Sequence, residues 1–149
     1  MRTVYKITAY VIAAEVAIQA MAIVLTFTGL GKWINEGNVF DRSVMESEEL
    51  PFPEIIGIIV HGINGGLVIP VLALLLLIFS FFARIPGGVK FAALVLGLVA
   101  VQATLGYAHV PWLGALHGLN AMLLFTAALH AARRVRPVTA ADTAATTSV

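Results

Sequence analysis

The chain has 149 residues, of which 60% are hydrophobic and 11% are charged, and it contains no cysteine. This length fits one domain, but the composition is typical of a membrane protein and differs from that of a soluble globule. The lack of cysteine excludes disulfides, thiolate metal sites and cysteine nucleophiles, and the net charge of +1 gives no reason to expect nucleic-acid binding.

Four long apolar runs follow one another along the chain. Each is close to the roughly 20 residues that a helix needs to cross a bilayer. The predicted spans cover about residues 4–29, 55–83, 90–108 and 111–132. A transmembrane β-barrel would need short segments of alternating polarity, which these runs lack. The sequence therefore predicts an all-α membrane protein with one four-helix transmembrane domain over residues 1–136.

The distribution of charge between the loops predicts the orientation. Residues 30–54, between the first two spans, form an acidic loop. Most basic residues fall on the other side of a four-span arrangement: Arg2, Lys6, Arg84, Lys90, Arg133, Arg134 and Arg136. Because cytoplasmic loops are enriched in Lys and Arg, we expect a multi-pass protein of the cell membrane with both termini cytoplasmic. The basic residues suit the anionic lipid of a bilayer better than a nucleic acid. Residues 137–149 are predicted to be a disordered cytoplasmic tail.

The first predicted span contains an acidic residue. Glu15 lies near the centre of the span, where a carboxylate is costly, and Gln19 lies one turn further on the same face. Two interpretations remain open. Glu15 is either an acid of a proton relay or beside a quinol, or a protonated carboxyl group that forms a hydrogen bond with a neighbouring helix.

The second predicted span contains the motif "HGINGG", from His61 to Gly66. Gly62 and Gly65 leave room for a close helix crossing or for a flat group set against the backbone. Asn64, three residues past His61, is placed to form hydrogen bonds near the same position. Further along the span, Pro70 predicts a bend.

The third and fourth predicted spans repeat motifs of the first two. "VAIQA" at residues 16–20 recurs as "VAVQA" at 99–103, and "HGIN" at 61–64 recurs as "HGLN" at 117–120. Gln102, His117 and Asn120 thus correspond to residues already described, whereas Glu15 has Leu98 at its equivalent position. The chain is therefore predicted to be an antiparallel four-helix bundle made of two repeated helical hairpins.

His61 and His117 are predicted to lie at the same depth, ~10 Å below the outer surface of the bundle. In an up-and-down bundle the second and fourth helices are diagonal neighbours, so the two side chains can face each other. A histidine pair beside glycines is what axial ligation of a planar haem requires. Haem b is favoured because the chain has no Cys-x-x-Cys-His motif for covalent attachment. Alternatively, the two histidines form hydrogen bonds between helices without a cofactor.

The other two histidines are predicted to lie outside this site. His130 is 13 residues beyond His117, which places it ~20 Å deeper along the helix, at the inner interface. His109 precedes Pro111 and Trp112, and we expect it at the external rim, in reach of a haem propionate at most.

Gln19, His61, Gln102 and the stretch "LHGLN" at residues 116–120 carry a family resemblance. From about Val4 to Arg136 the chain resembles one half of haem A synthase and, more loosely, the membrane-embedded b-type cytochromes. It is also similar to small four-helix bacterial membrane proteins with the same order of motifs. The resemblance implies a four-helix bundle in which His61 and His117 ligate haem. It does not extend to the synthase reaction, because the chain has one bundle and lacks the cysteine pair of many bacterial haem A synthases.

Together these features predict an integral membrane b-type haem protein in electron transfer or haem handling, with its own enzymatic activity left open. Its partner would then be a larger respiratory or haem-biosynthesis membrane complex. A different class remains as the alternative, namely a cofactor-free structural or assembly subunit that docks to a larger membrane complex. Proton-linked transport through Glu15 has weaker support, because the four spans contain no pair of broken helices.

Overall fold

The structure is a computed structural model, and it describes residues 1–108 and 110–135. Within these ranges the chain is helical and contains no strand. A 3₁₀ turn, Pro53–Ile55, precedes the third α-helix, and a π-helical segment, Asn64–Val68, joins the third α-helix to the fourth. The α-helices are α1 (Arg2–Asn35), α2 (Arg42–Glu46), α3 (Ile56–Ile63), α4 (Ile69–Ala83), α5 (Gly88–Tyr107) and α6 (Pro111–Arg133).

Four helical stretches are long and apolar enough to cross a membrane: Arg2–Asn35, Pro53–Ala83, Gly88–Tyr107 and Pro111–Arg133. Large apolar side chains on these stretches point outward, and Met21 and Met122 are 70% and 71% exposed at the protein surface. So much apolar surface is unfavourable in water but matches the hydrocarbon core of a bilayer. The prediction of an all-α, multi-pass membrane protein with four spans is confirmed.

The connection between the first two spanning stretches is shorter than predicted. α1 continues to Asn35, so this connection covers residues 36–52 instead of 30–54. The last turn of α1 is held by Trp33, whose ring packs against Phe40 and Phe52 at centroid distances of 6.3 and 5.8 Å. The extension therefore depends on contacts with residues that follow in the loop.

The connection also contains the short helix α2. Asp41 precedes it, and its carboxylate accepts hydrogen bonds from the backbone N–H groups of Ser43 and Val44. These bonds satisfy two of the donors that the first turn of a helix leaves without partners. The predicted disordered tail, residues 137–149, lies outside the described residues, as do Arg136 and His109.

The hydrophobic core lies in one half of the bundle. The first half of α1 packs there with α4, the first half of α5 and the second half of α6, and many of the buried side chains are alanines. Small side chains let helix backbones approach closely. Tyr5 closes this end of the bundle, because its hydroxyl donates to the carbonyl oxygen of Gly88 at 3.1 Å. Among the described residues, the stretches 17–68 and 100–123 contribute no buried member to this core.

The contacts between helices differ between the two halves. α1 packs against α3, α4 and α6, and α5 packs against α4 and α6. Among the described residues, α3 packs against α1 and against the segments that adjoin it in sequence. It has no comparable contact with the described residues of α5 or α6. The half of the bundle that contains α3 is therefore less closely packed, and the predicted site lies there.

Candidate functional site around His61 and His117

A cavity of about 160 Å³ lies in the half of the bundle that lacks the hydrophobic core. All four spanning stretches contribute to its wall. Six of the predicted site residues line it: Gln19, His61, Gly62, Gly65, Gln102 and His117. The fold thus brings together residues that the two repeated motifs place far apart in sequence.

His61 and His117 both line this cavity, and their rings lie close to each other. The centroids of the His61 and His117 rings are 6.0 Å apart, and the ring planes are inclined by 50°. A metal ion between them would form two bonds of about 2.0 Å, and with roughly 1.2 Å from each ring centre to its nitrogen the centroids would lie about 6.4 Å apart. The observed distance is close to that needed for an ion held by both rings.

Each ring is oriented by a backbone carbonyl of the preceding spanning helix. His61 Nδ1 lies 3.3 Å from the carbonyl oxygen of Gln19, and His117 Nδ1 lies 3.0 Å from that of Gln102. A carbonyl oxygen can only accept, so Nδ1 donates its N–H and each neutral ring keeps the lone pair on Nε2. Metal-ligating histidines are commonly fixed in this way. Both contacts join a histidine to the backbone of a glutamine in the preceding spanning helix.

Gly106 on α5 leaves room for the ring of His117. A Cβ atom at position 106 would lie 3.1 Å from Cε1 and 3.2 Å from Nδ1 of this ring. Any side chain here would therefore push the imidazole away from its hydrogen-bonded position. Gly106 was not among the predicted site residues, because the equivalent position in the first hairpin is Ile23 and the motifs give no signal.

Asn120 links α6 to α5 through its side-chain amide. Asn120 is buried, and its Nδ2 donates to Oε1 of Gln102 at 2.6 Å and to the carbonyl oxygen of Leu98 at 2.9 Å. These bonds tie α6 to α5 one turn from His117. Asn120 does not itself line the cavity, so its role is to hold Gln102 and the helix pair in place.

The asparagine of the first repeated motif forms a different bond. Asn64 is also buried, but its Nδ2 donates to Oε2 of Glu15 at 2.9 Å. Among the described residues, Gln19 Nε2, Gln19 Oε1 and Asn64 Oδ1 are buried without a hydrogen-bond partner. Each such atom costs about 1–3 kcal/mol. The carboxylate of Glu15 engages Asn64, and the Gln19 amide is left without a hydrogen-bond partner among the described residues.

This contact bears on the two interpretations of Glu15. Its carboxylate accepts a hydrogen bond from the next spanning stretch, as one of them expects. Glu15 is not part of the cavity wall. A role in a proton relay stays a prediction.

The π-helical segment begins at Asn64, three residues after His61. Such a segment rotates the residues that follow it about the helix axis. One extra residue in a turn has this effect, and such π segments are frequent at functional sites. The irregularity thus precedes Pro70, which lies in the first turn of α4.

His130 and Trp112 are not part of the cavity wall. His130 is exposed, and its Nδ1 contacts the carbonyl oxygen of Thr126 on its own helix at 2.9 Å. Trp112 is 82% exposed, as expected for a residue of an interfacial aromatic belt. Tyr107 is also largely exposed, but it lines the cavity, which the sequence did not predict.

The site offers few ligands for a bare metal ion. In residues 1–108 and 110–135, no group of three or more His, Cys, Asp or Glu side chains is placed to bind one ion together. A structural zinc ion takes four ligands, so the histidine pair alone is too small a donor set. Two imidazoles do complete the coordination of an iron that a porphyrin already holds, so the residues present fit haem.

No family model matches the chain, and no curated protein or solved structure matches it. An inference about function therefore depends on the geometry of the cavity and on the residues around it.

Proposed function

We propose that this protein is an integral membrane b-type haem protein in which His61 and His117 are the axial ligands. The observation that carries the proposal is the 6.0 Å separation of the two rings, each fixed through Nδ1 by a backbone carbonyl. When bound, the haem supplies an iron that alternates between the ferric and ferrous states. The protein's own groups orient the two imidazoles and keep Nε2 of each available as a ligand.

The shape of the site supports a planar ligand. Protein interiors are normally close-packed, and the other half of this bundle follows that rule. Around the histidines, by contrast, glycines line a cavity to which all four spanning stretches contribute. Glycine lets a flat ring approach the backbone, and apolar cavities with a few convergent polar groups are typical of cofactor sites.

Ligation by two histidines favours particular roles for the protein. With both axial positions filled, the iron has no open position for oxygen, so electron transfer or haem handling fits better than oxygenation. The partner class for either role is a larger respiratory or haem-biosynthesis complex in the same membrane. The resemblance to one half of haem A synthase agrees with this assignment.

We also propose that the bundle is antiparallel, built from one hairpin used twice, with both termini in the cytoplasm. The equivalent histidine–carbonyl contacts in the two hairpins support the repeat. The basic residues of α1, of the α4–α5 connection and of α6 support the orientation. A reporter that is active only outside the cytoplasm should give a signal when fused after residue 45 and none after residue 140. The reverse pattern would contradict the orientation.

The experiment that tests the function is an absorption spectrum of protein expressed with ample haem and purified in mild detergent. We expect a Soret band and, after reduction with dithionite, the sharp visible bands of six-coordinate, low-spin iron. His61→Ala or His117→Ala should abolish or convert this spectrum, because either change removes one axial ligand. His130→Ala is the matched control and should leave it unchanged. A colourless wild-type protein would reject the proposal and favour the cofactor-free docking subunit.

A further inference from the structure

We infer that the ligand reaches the cavity sideways from the bilayer, through a gap between α3 and α5 whose mouth is covered by Tyr107. This inference rests on the proposed function, because the ligand it concerns is haem dissolved in the lipid phase. Beyond that function, it proposes a route by which haem enters the cavity and assigns control of this route to Tyr107. A site loaded from lipid suits haem handling better than permanent retention of one haem.

The gap follows from the way α3 is packed. Its Gly57 lies directly against the backbone of Ala22 and the hydroxyl of Thr26 on α1, so this side of α3 is closed. On its other side, the described residues of α5 and α6 form no comparable contact with α3. Ile63, at the end of α3, is 59% exposed. The cavity behind α3 therefore borders on the surrounding lipid.

Glycines form the edge of this opening. Gly62 and Gly66 line the cavity and are exposed at the surface. A Cβ atom at Gly62 would have no atom within 4 Å, and one at Gly66 would lie 3.3 Å from the hydroxyl oxygen of Tyr107. The Tyr107 side chain thus extends from α5 to the backbone of the π-helical segment. It is 70% exposed, so rotation of this one side chain opens the mouth of the cavity.

The interior of the cavity points to a ligand and not only to loose packing. Gln19 lies in its wall, is only 8% exposed, and has no hydrogen-bond partner for either amide atom among the described residues. Below this level Val16, Ile69 and Leu124 are buried in the core, so the cavity ends there. A planar apolar molecule that enters between α3 and α5 is stopped between the two histidines.

The test uses the absence of cysteine from the chain, since an introduced cysteine is then the only thiol. Gly66→Cys is purified without haem, placed in phosphatidylcholine vesicles, and either left free or labelled with a bulky maleimide. Ferric protoporphyrin IX is added in donor vesicles of the same lipid, and the growth of the Soret band gives the rate of uptake. Labelling should slow uptake at least tenfold, because the label fills the mouth of the cavity.

The matched control is Leu67→Cys, whose position is adjacent and 61% exposed but not part of the cavity wall. The same label at this position should leave the rate unchanged. Tyr107→Ala should speed both uptake and release, because the mouth then stays open. When haem is loaded first and Gly66→Cys is labelled afterwards, the release of haem should slow.

The outcomes separate the two proposals. Equal rates for free and labelled Gly66→Cys, in protein that does bind haem, would overturn the lateral route and leave the proposed function intact. Displacement of bound haem by the label would likewise overturn it, since Gly66 would then belong to the binding site itself. If wild-type protein takes up no haem under these conditions, the proposed function fails and the route fails with it.

Discussion

Asn64 donates a hydrogen bond to Glu15 at 2.9 Å, whereas the equivalent Asn120 donates to Gln102 at 2.6 Å. The acceptor of Asn64 is thus a carboxylate of the preceding spanning helix, whereas the acceptor of Asn120 is a glutamine of the helix that precedes it. Among the described residues the buried Gln19 amide therefore has no hydrogen-bond partner, while the Gln102 amide oxygen accepts a bond. The two repeated motifs are similar in sequence, but their asparagines donate to different acceptors.

This asymmetry predicts different effects for two matched substitutions in the haem-free protein. Gln102→Leu removes the acceptor of Asn120 and should destabilise the protein by about 1–3 kcal/mol, because it leaves a buried amide donor with one bond fewer. Gln19→Leu removes two buried atoms that have no partner and should leave the stability unchanged or raise it. Unfolding in detergent, followed by circular dichroism, measures both. A larger loss for Gln19→Leu would contradict the described networks.

Glu15→Leu converts the first hairpin to the residue pattern of the second. Asn64 loses its acceptor, but its amide is then free to form with Gln19 the bond that Asn120 forms with Gln102. We therefore expect a change in unfolding free energy of no more than about 1 kcal/mol. Asn120→Leu is the comparison, since it removes the hydrogen bonds to Gln102 and Leu98 and should cost about 1–3 kcal/mol. If Glu15→Leu proved the more destabilising of the two, the expected replacement bond between Asn64 and Gln19 would be contradicted.

Gly106→Ala should disturb the ring of His117 without removing a ligand. The added Cβ would lie 3.1 Å from Cε1, so the imidazole must shift away from α5. We expect weaker haem binding and a partial change from low-spin to high-spin iron, visible in the absorption spectrum. Gly97→Ala on the same helix is the control, because a Cβ there would have no atom within 4 Å. Identical spectra for both variants would show that His117 is not held against Gly106.

The sequence predicted the parts of this molecule that depend on local pattern. Long apolar runs predicted the four spans, and the repeated motifs predicted that His61 and His117 lie at the same depth. The position of Asn64, three residues past His61, predicts hydrogen bonds near the same place. These features need only helical periodicity and the spacing of a few polar residues.

Features that depend on helix rotation and packing were not predictable. The partner of Asn64 is Glu15 and not Gln19, which depends on how the second span rotates against α1. The π-helical segment lies in "NGGLV", residues that are also compatible with a regular helix in apolar sequence. Gly106 and Tyr107 belong to the site only because α5 lies beside α6 and the π-helical segment. The last turn of α1 likewise depends on contacts of Trp33 with a later part of the chain.

The central claim is that one haem iron is held by His61 and His117 of the same chain. Electron paramagnetic resonance of the oxidised protein, combined with iron and protein quantification, tests it most directly. The account predicts one iron per chain with a low-spin signal typical of two imidazole ligands, and a high-spin signal in both His61→Ala and His117→Ala. A high-spin wild-type signal, or a low-spin signal that survives either substitution, would contradict it.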